Sequence, residues 1–169
     1  SFKMNNILQT QKINKSYVSP VETLIVFKDL DFNLEKSKSL FLFGPSGCGK
    51  STFLNMITGL DEPDSGKVLI NNKSLNISNS SNFLKSDIGI IFQDHYLLNE
   101  LNIKDNLLLK SEKEEQLDFL LNFLDIKDIK LKFPYQISNG QKQRVCVARS
   151  LMNKPQLIIA DEPTSYLDK

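Results

Sequence analysis

The sequence GPSGCGKS, residues Gly44–Ser51, fits the spacing G-x-x-x-x-G-K-[ST]. Glycines in this pattern let the backbone wrap around phosphate oxygens with its N–H groups pointing inward. The loop follows an apolar run, Ser39–Phe43, that predicts a buried parallel strand, and it precedes a helix predicted over Ser51–Thr58, with Gly59 as its stop. Because a strand enters the loop and a helix leaves it, we predict a phosphate-binding loop rather than a glycine-rich turn beside a surface lysine.

The residue types in this loop predict separate tasks in holding a nucleoside triphosphate. Lys50 would reach the β- and γ-phosphates, and the Ser51 hydroxyl would ligate Mg²⁺. Cys48 is either a redox-sensitive thiol at a helix N-terminus or simply a small residue that the loop tolerates, and we favour the second interpretation. The other candidate nucleotide contacts in and directly after the loop are Gly44, Ser46, Gly47, Gly49 and Thr52.

Length and composition narrow the class of protein. The chain has 169 residues, which favours a single domain, and a net charge of +1, which gives no electrostatic argument for nucleic-acid binding. Its two cysteines, Cys48 and Cys146, are too few for a disulfide-stapled scaffold. No apolar run approaches the roughly 20 residues that span a bilayer, and residues 1–10 lack the apolar segment of a signal peptide. We therefore expect a soluble protein of a reducing compartment.

The first 92 residues are predicted to consist mainly of strands. Thr23–Phe27 is rich in β-branched and aromatic residues, and apolar residues alternate with polar ones over 30–34. Asn71 and Asn72 separate two short strands, which predicts a hairpin. The remaining predictions for this half are the hairpin strands over 67–70 and 73–75, a Ser/Asn-rich loop over 76–82 and an apolar strand over 88–92.

The second half is predicted to be mostly helical before it returns to a strand. Ser111 and Glu114 have the spacing of a capping box, which predicts the start of a helix over 112–124. The other predicted elements are helices over 105–110 and 139–152, an irregular segment over 125–133 and a strand over 157–160. Strand and helix alternate at both ends of the chain around a helical insert, which predicts an α/β domain with a helical subdomain.

Two acidic residues, Asp161 and Glu162, directly follow the last predicted strand. In a parallel sheet that carries a phosphate loop, Asp161 would support Mg²⁺ directly or through water. Glu162 would point at the γ-phosphate and polarise the attacking water as a general base. The alternative is a strand exit with solvated acids, which the upstream phosphate loop disfavours.

The segment 135–144 reads YQISNGQKQR, and it resembles the L-S-G-G-Q motif of ATP-binding-cassette (ABC) ATPases. Asn139 replaces the first glycine of that motif, so we expect weakened rather than abolished function. Ser138 and Gln141 form an S-x-x-Q capping box, which starts a helix and creates a second anion site. The resemblance implies that Ser138, Gly140 and Gln141 contact the γ-phosphate of ATP held by another protomer.

The resemblance assigns expectations to three further places. Tyr17 is similar to the aromatic residue that stacks on adenine, and its alternative is a plain strand-end tyrosine. Gln93 resembles the Q-loop glutamine that contacts Mg²⁺ and water. Ser165–Asp168 resembles the D-loop, with the bulky Tyr166 where alanine is usual. His95 matches no family position, and we expect it at the surface.

The family implies an α/β fold: a P-loop NTPase core with a mostly parallel sheet, an N-terminal antiparallel β part and a helical subdomain. We expect a nucleotide-binding core over 1–92, a helical subdomain over 93–153 and a return to the core over 154–169, all in one ABC domain. The chain stops before the family's switch histidine and last strands. We therefore expect a C-terminally incomplete form that hydrolyses ATP poorly.

The function implied by the resemblance is that of a transporter subunit with ATP and Mg²⁺ as cofactors. It would dimerise, with itself or with a related subunit, and power a transmembrane permease from the cytoplasmic face of the membrane. Gly59–Gly66, together with the start of the phosphate loop, resembles the lipoprotein-release and macrolide-export subgroup. The alternatives are a non-transport ABC ATPase of translation, repair or assembly, which is disfavoured because the insert is short and not notably basic, and a non-catalytic fragment. No nucleic-acid partner is expected.

Overall fold

The computed structural model describes residues 5–161, which fall into two units. The first unit ends at Phe83 and the second begins at Leu84. The elements of the first unit are β1 (Asn6–Val18), β2 (Thr23–Glu35), α1 (Lys50–Thr58), β3 (Ser65–Ile70) and β4 (Lys73–Leu75). A further helix, α2 (Ser80–Ser86), spans the boundary between the units.

Strand β1 lies inside the four-stranded antiparallel sheet of the first unit, whose order is β2-β1-β3-β4. This strand was not predicted, because its pattern breaks at Lys12, which has a φ of 47° and interrupts the pairing with β3. Gly66 lies opposite this bulge with a φ of 92°. A Cβ atom there would lie 2.4 Å from the carbonyl oxygen of Lys12, so only glycine lets the strands approach.

The predicted hairpin is confirmed, because β3 and β4 pair around Asn71 and Asn72, which have φ values of 49° and 64°. The two strands predicted over 23–27 and 30–34 form one continuous strand, β2. Its pairing with β1 contains several irregularities. The bend between the two apolar runs is therefore a local distortion of one strand and not a turn.

The prediction of a buried parallel strand over Ser39–Phe43 is wrong for this structure. These residues pair with no strand among residues 5–161, and Phe41 and Phe43 are 75% and 88% exposed. An apolar run reports the tendency to be buried, whereas strand formation also requires a partner with free N–H and C=O groups. That partner is not encoded in the run itself.

The predicted loop over 76–82 holds as far as Asn79, after which α2 begins. Asn76 and Asn79 each accept a hydrogen bond from the other's backbone N–H group, at 2.9 and 3.0 Å. These bonds form the turn that precedes α2, and Phe83 anchors the helix in the core. The Ser/Asn-rich composition therefore marks the start of a helix as well as a loop.

The second unit contains a parallel pair of strands, β5 (Ile88–Ile91) and β6 (Leu157–Ala160), as predicted. Between them lie three helices, α3 (Ile103–Leu108), α4 (Glu114–Phe123) and α5 (Asn139–Leu151). Two short 3₁₀ turns occupy Lys127–Ile129 and Pro134–Gln136. No helix among residues 5–161 is long and apolar enough to cross a membrane.

The three helices share one apolar core. Its fully buried side chains include Ile103, Leu107, Leu117, Leu121, Val145 and Met152. The capping box predicted at Ser111 and Glu114 is wrong, because α4 begins at Glu114 with Lys113 before it. The backbone N–H of Ser111 instead donates to the carbonyl of Leu108, at 3.2 Å, in the turn after α3. Ser111 therefore belongs to the turn after α3 and does not cap α4.

Candidate functional site

The predicted junction between the glycine-rich loop and helix α1 is present in the first unit. Gly49 precedes the helix with a φ of 96°, a conformation that other residues rarely adopt. A Cβ atom at this position would lie 2.7 Å from a methyl carbon of Val26, so packing also requires glycine. The unpaired N–H groups of the first turn of α1 therefore lie directly at the end of the loop. A helix N-terminus in this position favours the binding of an anion.

The ammonium group of Lys50 lies on the loop itself. Its Nζ donates to the carbonyl oxygens of Gly44, at 2.6 Å, and Pro45, at 2.9 Å. A phosphate that binds Lys50 has to compete with two neutral carbonyls, and it is favoured over them because its negative charge adds ionic attraction to the hydrogen bond. In the absence of an anion, the loop carbonyls thus hold the Lys50 ammonium close to the backbone. Cys48 is exposed beside it.

Tyr17 and Thr52, two candidate nucleotide contacts, meet in the first unit. The Tyr17 hydroxyl lies 3.4 Å from Oγ1 of Thr52 and donates to Oδ2 of Asp61 at 3.2 Å. The Tyr17 side chain keeps 44% of its surface exposed. Its ring therefore offers an accessible aromatic surface near the first turn of α1.

The capping box at the start of α5 is confirmed. Oγ of Ser138 accepts from the backbone N–H of Gln141 at 3.2 Å, and Oε1 of Gln141 accepts from the backbone N–H of Ser138 at 3.0 Å. Asn139 is the first residue of the helix and does not have a positive φ, so asparagine fits there without backbone strain. Gly140 has open space where a Cβ would lie.

Because no atom among residues 5–161, apart from its chain neighbours and the backbone of its own helix, lies within 4 Å of a Cβ at position 140, Gly140→Ala separates folding from ligand contact. We expect an unchanged or slightly higher melting temperature, since alanine stabilises helices relative to glycine. If a phosphate approaches this backbone, ATP-dependent dimer formation falls by about tenfold, a loss of roughly 1.4 kcal/mol. Thermal melts and light scattering with ATP measure the two effects. Normal dimerisation of the variant would contradict a phosphate contact at Gly140.

In the second unit, Gln93 and Asp161 lie at the carboxyl ends of the parallel strands. The backbone N–H of Asp161 donates to the carbonyl of Ile91 at 2.9 Å, so the ladder continues one residue past β6. Gln93 is exposed two residues beyond Ile91. Carboxyl ends of parallel strands are where open α/β sheets bind ligands. Glu162 and the D-loop prediction, Ser165–Asp168, lie outside the described residues.

The chain after Gln93 is attached to helix α5 by a side chain that the sequence analysis missed. Nη1 of Arg149 donates to the carbonyl of Tyr96 and Nη2 to the carbonyl of His95, both at 2.7 Å. The buried Cys146 thiol contacts the same His95 carbonyl at 3.3 Å. Helix α5, which follows the Ser138 cap, therefore holds the backbone of His95 and Tyr96, two and three residues after Gln93.

The prediction that His95 is a surface residue is wrong. The side chain is half-buried, and burial lowers its pKa, an effect that the nearby Lys142 reinforces. A hydrogen bond with Gln143 acts in the opposite direction but does not outweigh the burial. His95 is half-buried because its backbone is held against α5. This long-range contact is not evident from the sequence.

Arg149→Met tests whether this attachment matters for catalysis. We expect the free energy of unfolding to fall by about 1–3 kcal/mol, because two carbonyls lose a charged donor. We also expect kcat for ATP to fall more than KM changes, since Gln93 loses its support while the phosphate loop stays intact. Urea unfolding and steady-state kinetics provide the two readouts. Arg149→Lys, which keeps the charge but not the fork, should be intermediate; an unchanged kcat in both variants contradicts the role.

The candidate residues are divided between the two units. The first unit holds the phosphate loop, Tyr17 and Thr52, and the second holds Gln93, the start of α5 and Asp161. Residues 5–161 contain no group of three or more His, Cys, Asp or Glu side chains that would hold a metal by themselves. The candidate metal ligands are a hydroxyl, an amide oxygen and a carboxylate. This donor set fits Mg²⁺, which binds proteins through one or two carboxylates together with substrate phosphates.

Comparisons with known proteins agree with this arrangement. A family model described as ABC transporter matches residues 27–165. The chain is 38% identical to the lipoprotein-releasing system ATP-binding protein LolD of Treponema denticola, over 96% of this chain and 77% of that protein. It is 40% identical to LolD of Colwellia psychrerythraea, over 98% of this chain and 68% of that protein.

The structure is similar to a dimeric post-hydrolysis state of the ATP-binding cassette MJ0796 bound to ADP and Pi. The TM-score is 0.83 and the identity 31%, and the match covers 96% of this chain and 76% of that one. The chain therefore belongs to the ABC transporter family, as an ATP-binding-cassette ATPase. This confirms the predicted P-loop NTPase fold, with its antiparallel β part, parallel strands and helices.

Proposed function

We propose that this ATPase binds two Mg-ATP between two head-to-tail copies and drives a transmembrane permease of the lipoprotein-release type. The observation that carries the proposal is that one chain has two helix starts suited to anions. One is the loop before α1, and the other is the capped N-terminus of α5 with open space at Gly140. In a head-to-tail dimer, each triphosphate contacts the first in one copy and the second in the other.

The phosphate loop holds the nucleotide in this proposal. Lys50 leaves the loop carbonyls for the β- and γ-phosphates, and Tyr17 stacks on the base. The loop residues that line the phosphates are Gly44, Ser46, Gly47, Cys48, Gly49 and Thr52. Ser138, Gly140 and Gln141 of the other copy close over the γ-phosphate. The described geometry of the loop and of α5 supports these roles.

The hydrolytic step uses Ser51 at the start of α1 and residues that follow the two parallel strands. Ser51, Gln93 and Asp161 would hold Mg²⁺, which when bound neutralises charge on the phosphates. Glu162 accepts a proton from the attacking water, whose oxygen forms the new bond to the γ-phosphorus as the bond to ADP breaks. Gln93 positions that water, and Arg149 holds the segment that follows Gln93.

The membrane partner and location belong to the same proposal. Relatives at 38–40% identity are named as ATP-binding proteins of lipoprotein-releasing systems, which supports an export-type permease as the partner. The protein would then work at the cytoplasmic face of the membrane. We also propose a core over 1–92, a helical subdomain over 93–153 and a return to the core over 154–169. A nucleic-acid role is not favoured, given the net charge of +1.

The test is whether ATP assembles the dimer and whether a permease accompanies it. Light scattering of the intact protein should show a shift from monomer to dimer with ATP and Mg²⁺, and not with ADP. Affinity purification from membranes of the source cell should recover a polytopic membrane protein. The proposal would be refuted if the protein stays monomeric at saturating ATP and the affinity purification recovers no membrane subunit.

A further inference from the structure

Lys15 is a buried charged residue near the end of β1. Only 8% of its surface is exposed, although lysine is almost never buried without partners. Its Nζ donates to Oδ1 of Asp61 at 2.8 Å and to the carbonyl of Glu62 at 2.7 Å. The same ammonium lies over the ring of Tyr17, 5.3 Å from the ring centroid. One cation therefore contacts a carboxylate, a carbonyl and an aromatic face.

Asp61 connects the other side of the tyrosine to the same cluster. Its Oδ2 accepts from the Tyr17 hydroxyl at 3.2 Å, and its Oδ1 also accepts from the backbone N–H of Glu62 at 2.7 Å. Burial of Asp61 opposes its ionisation, but the hydrogen bonds from Lys15, Glu62 and Tyr17 outweigh it and lower the pKa. The hydrogen bond to Asp61 raises the pKa of Lys15. Both groups are therefore charged at neutral pH.

This cluster fixes Tyr17 at two points. The hydroxyl is held by Asp61, and one face of the ring lies under the Lys15 ammonium, which leaves the ring little freedom to rotate. Tyr17 nevertheless remains 44% exposed. The face of the ring away from Lys15 is therefore the one on which a planar base can stack.

We propose that Lys15 and Asp61 are positioning residues that hold the Tyr17 ring ready for a purine base. They set the part of the nucleotide affinity that depends on the base, because a side chain that is already immobilised loses less entropy on binding. The inference rests on the proposed function, in which Tyr17 stacks on the base of ATP. Neither residue touches the nucleotide itself.

The test compares ATP with inorganic tripolyphosphate, which lacks the base. We expect Lys15→Met to weaken ATP binding by about 5–30-fold, the lower part of the range of a lost stacking contact, and to leave tripolyphosphate binding unchanged. KM for ATP should rise while kcat stays within about twofold, because the phosphate groups bind as before. Lys12→Met is the matched control, since Lys12 is exposed on the same strand.

Further variants make the outcomes distinguishable. Tyr17→Leu should cause the same selective loss, and the double variant Lys15→Met/Tyr17→Leu should lose no more than Tyr17→Leu alone. If Tyr17→Leu does not change the ratio of ATP to tripolyphosphate affinity, the stacking in the proposed function fails. If only Lys15→Met leaves that ratio unchanged, the positioning role fails. Should Lys15→Met not fold, Asp61→Asn keeps the shape of the cluster, and an unchanged ratio in that variant overturns the proposal.

Discussion

Lys50→Ala should lower kcat/KM for ATP hydrolysis by about 10²–10³-fold, the usual cost of removing one charge-stabilising donor from a reaction centre. The structure supports this size of effect, because Lys50 is already placed at the loop by the Gly44 and Pro45 carbonyls. Moving it to a phosphate exchanges neutral partners for charged ones without a large rearrangement. Steady-state hydrolysis and equilibrium binding of ATP measure the effect, and both should decline.

Lys38→Ala is the control for this variant, since Lys38 is an exposed lysine shortly before the same loop. It should hydrolyse ATP at the rate of the unmodified protein. Because Lys50 also bonds the loop carbonyls, the melting temperature of Lys50→Ala should be recorded as well. Hydrolysis within about threefold of normal, in a variant that melts normally, would exclude the role of Lys50 in phosphate binding.

Glu162→Gln should lower kcat by about 10²–10⁴-fold and cause an ATP-bound dimer to accumulate. Glutamine has nearly the same shape as glutamate but cannot accept a proton from the attacking water. Binding of ATP would therefore continue while its hydrolysis stops. The preceding residue, Asp161, continues the parallel ladder beside Ile91, which places the start of this acidic pair at the carboxyl end of the strands. Single-turnover kinetics and light scattering with ATP measure the two consequences.

Glu115→Gln serves as the matched control, because Glu115 is exposed in the first turn of α4. It should turn over ATP normally, and its ATP-bound dimer should accumulate no more than that of the unmodified protein. Unchanged turnover in Glu162→Gln would remove this residue from the mechanism. Loss of turnover without dimer accumulation would instead point to a defect in nucleotide binding.

The features that were predictable from the sequence depend on interactions between near neighbours. The glycine-rich loop before α1, the Asn71–Asn72 turn and the Ser138–Gln141 cap each close hydrogen bonds over at most a few residues. Their residue types therefore carry the full physical requirement: a positive φ, a short acceptor side chain or a missing Cβ. The apolar runs of β5 and β6 were also recognised, because polar residues bound them, although each strand needs the other as a partner far along the chain.

The predictions that failed depended on partners far along the chain. Ser39–Phe43 has the composition of a strand but no strand beside it among residues 5–161, and Ser111 bonds the turn after α3 instead of capping α4. His95 was expected at the surface because it matches no family position, and its contact with Arg149, 54 residues later, has no local signal in the sequence. A local sequence pattern does not indicate which distant strand or side chain a residue will contact.

From the sequence alone we predicted a phosphate loop with its lysine, a second capped helix and an acidic pair after a strand, and the structure confirms the loop–helix junction and the cap. These follow from residue type and spacing, because each is a short-range arrangement. Only the tertiary structure showed that Lys15 and Asp61 hold Tyr17, and that Arg149 holds the segment after Gln93. Both arrangements involve polar groups that become buried when distant segments pack. A buried polar group needs a hydrogen-bond partner, and the fold, not the local sequence, decides which group is close enough.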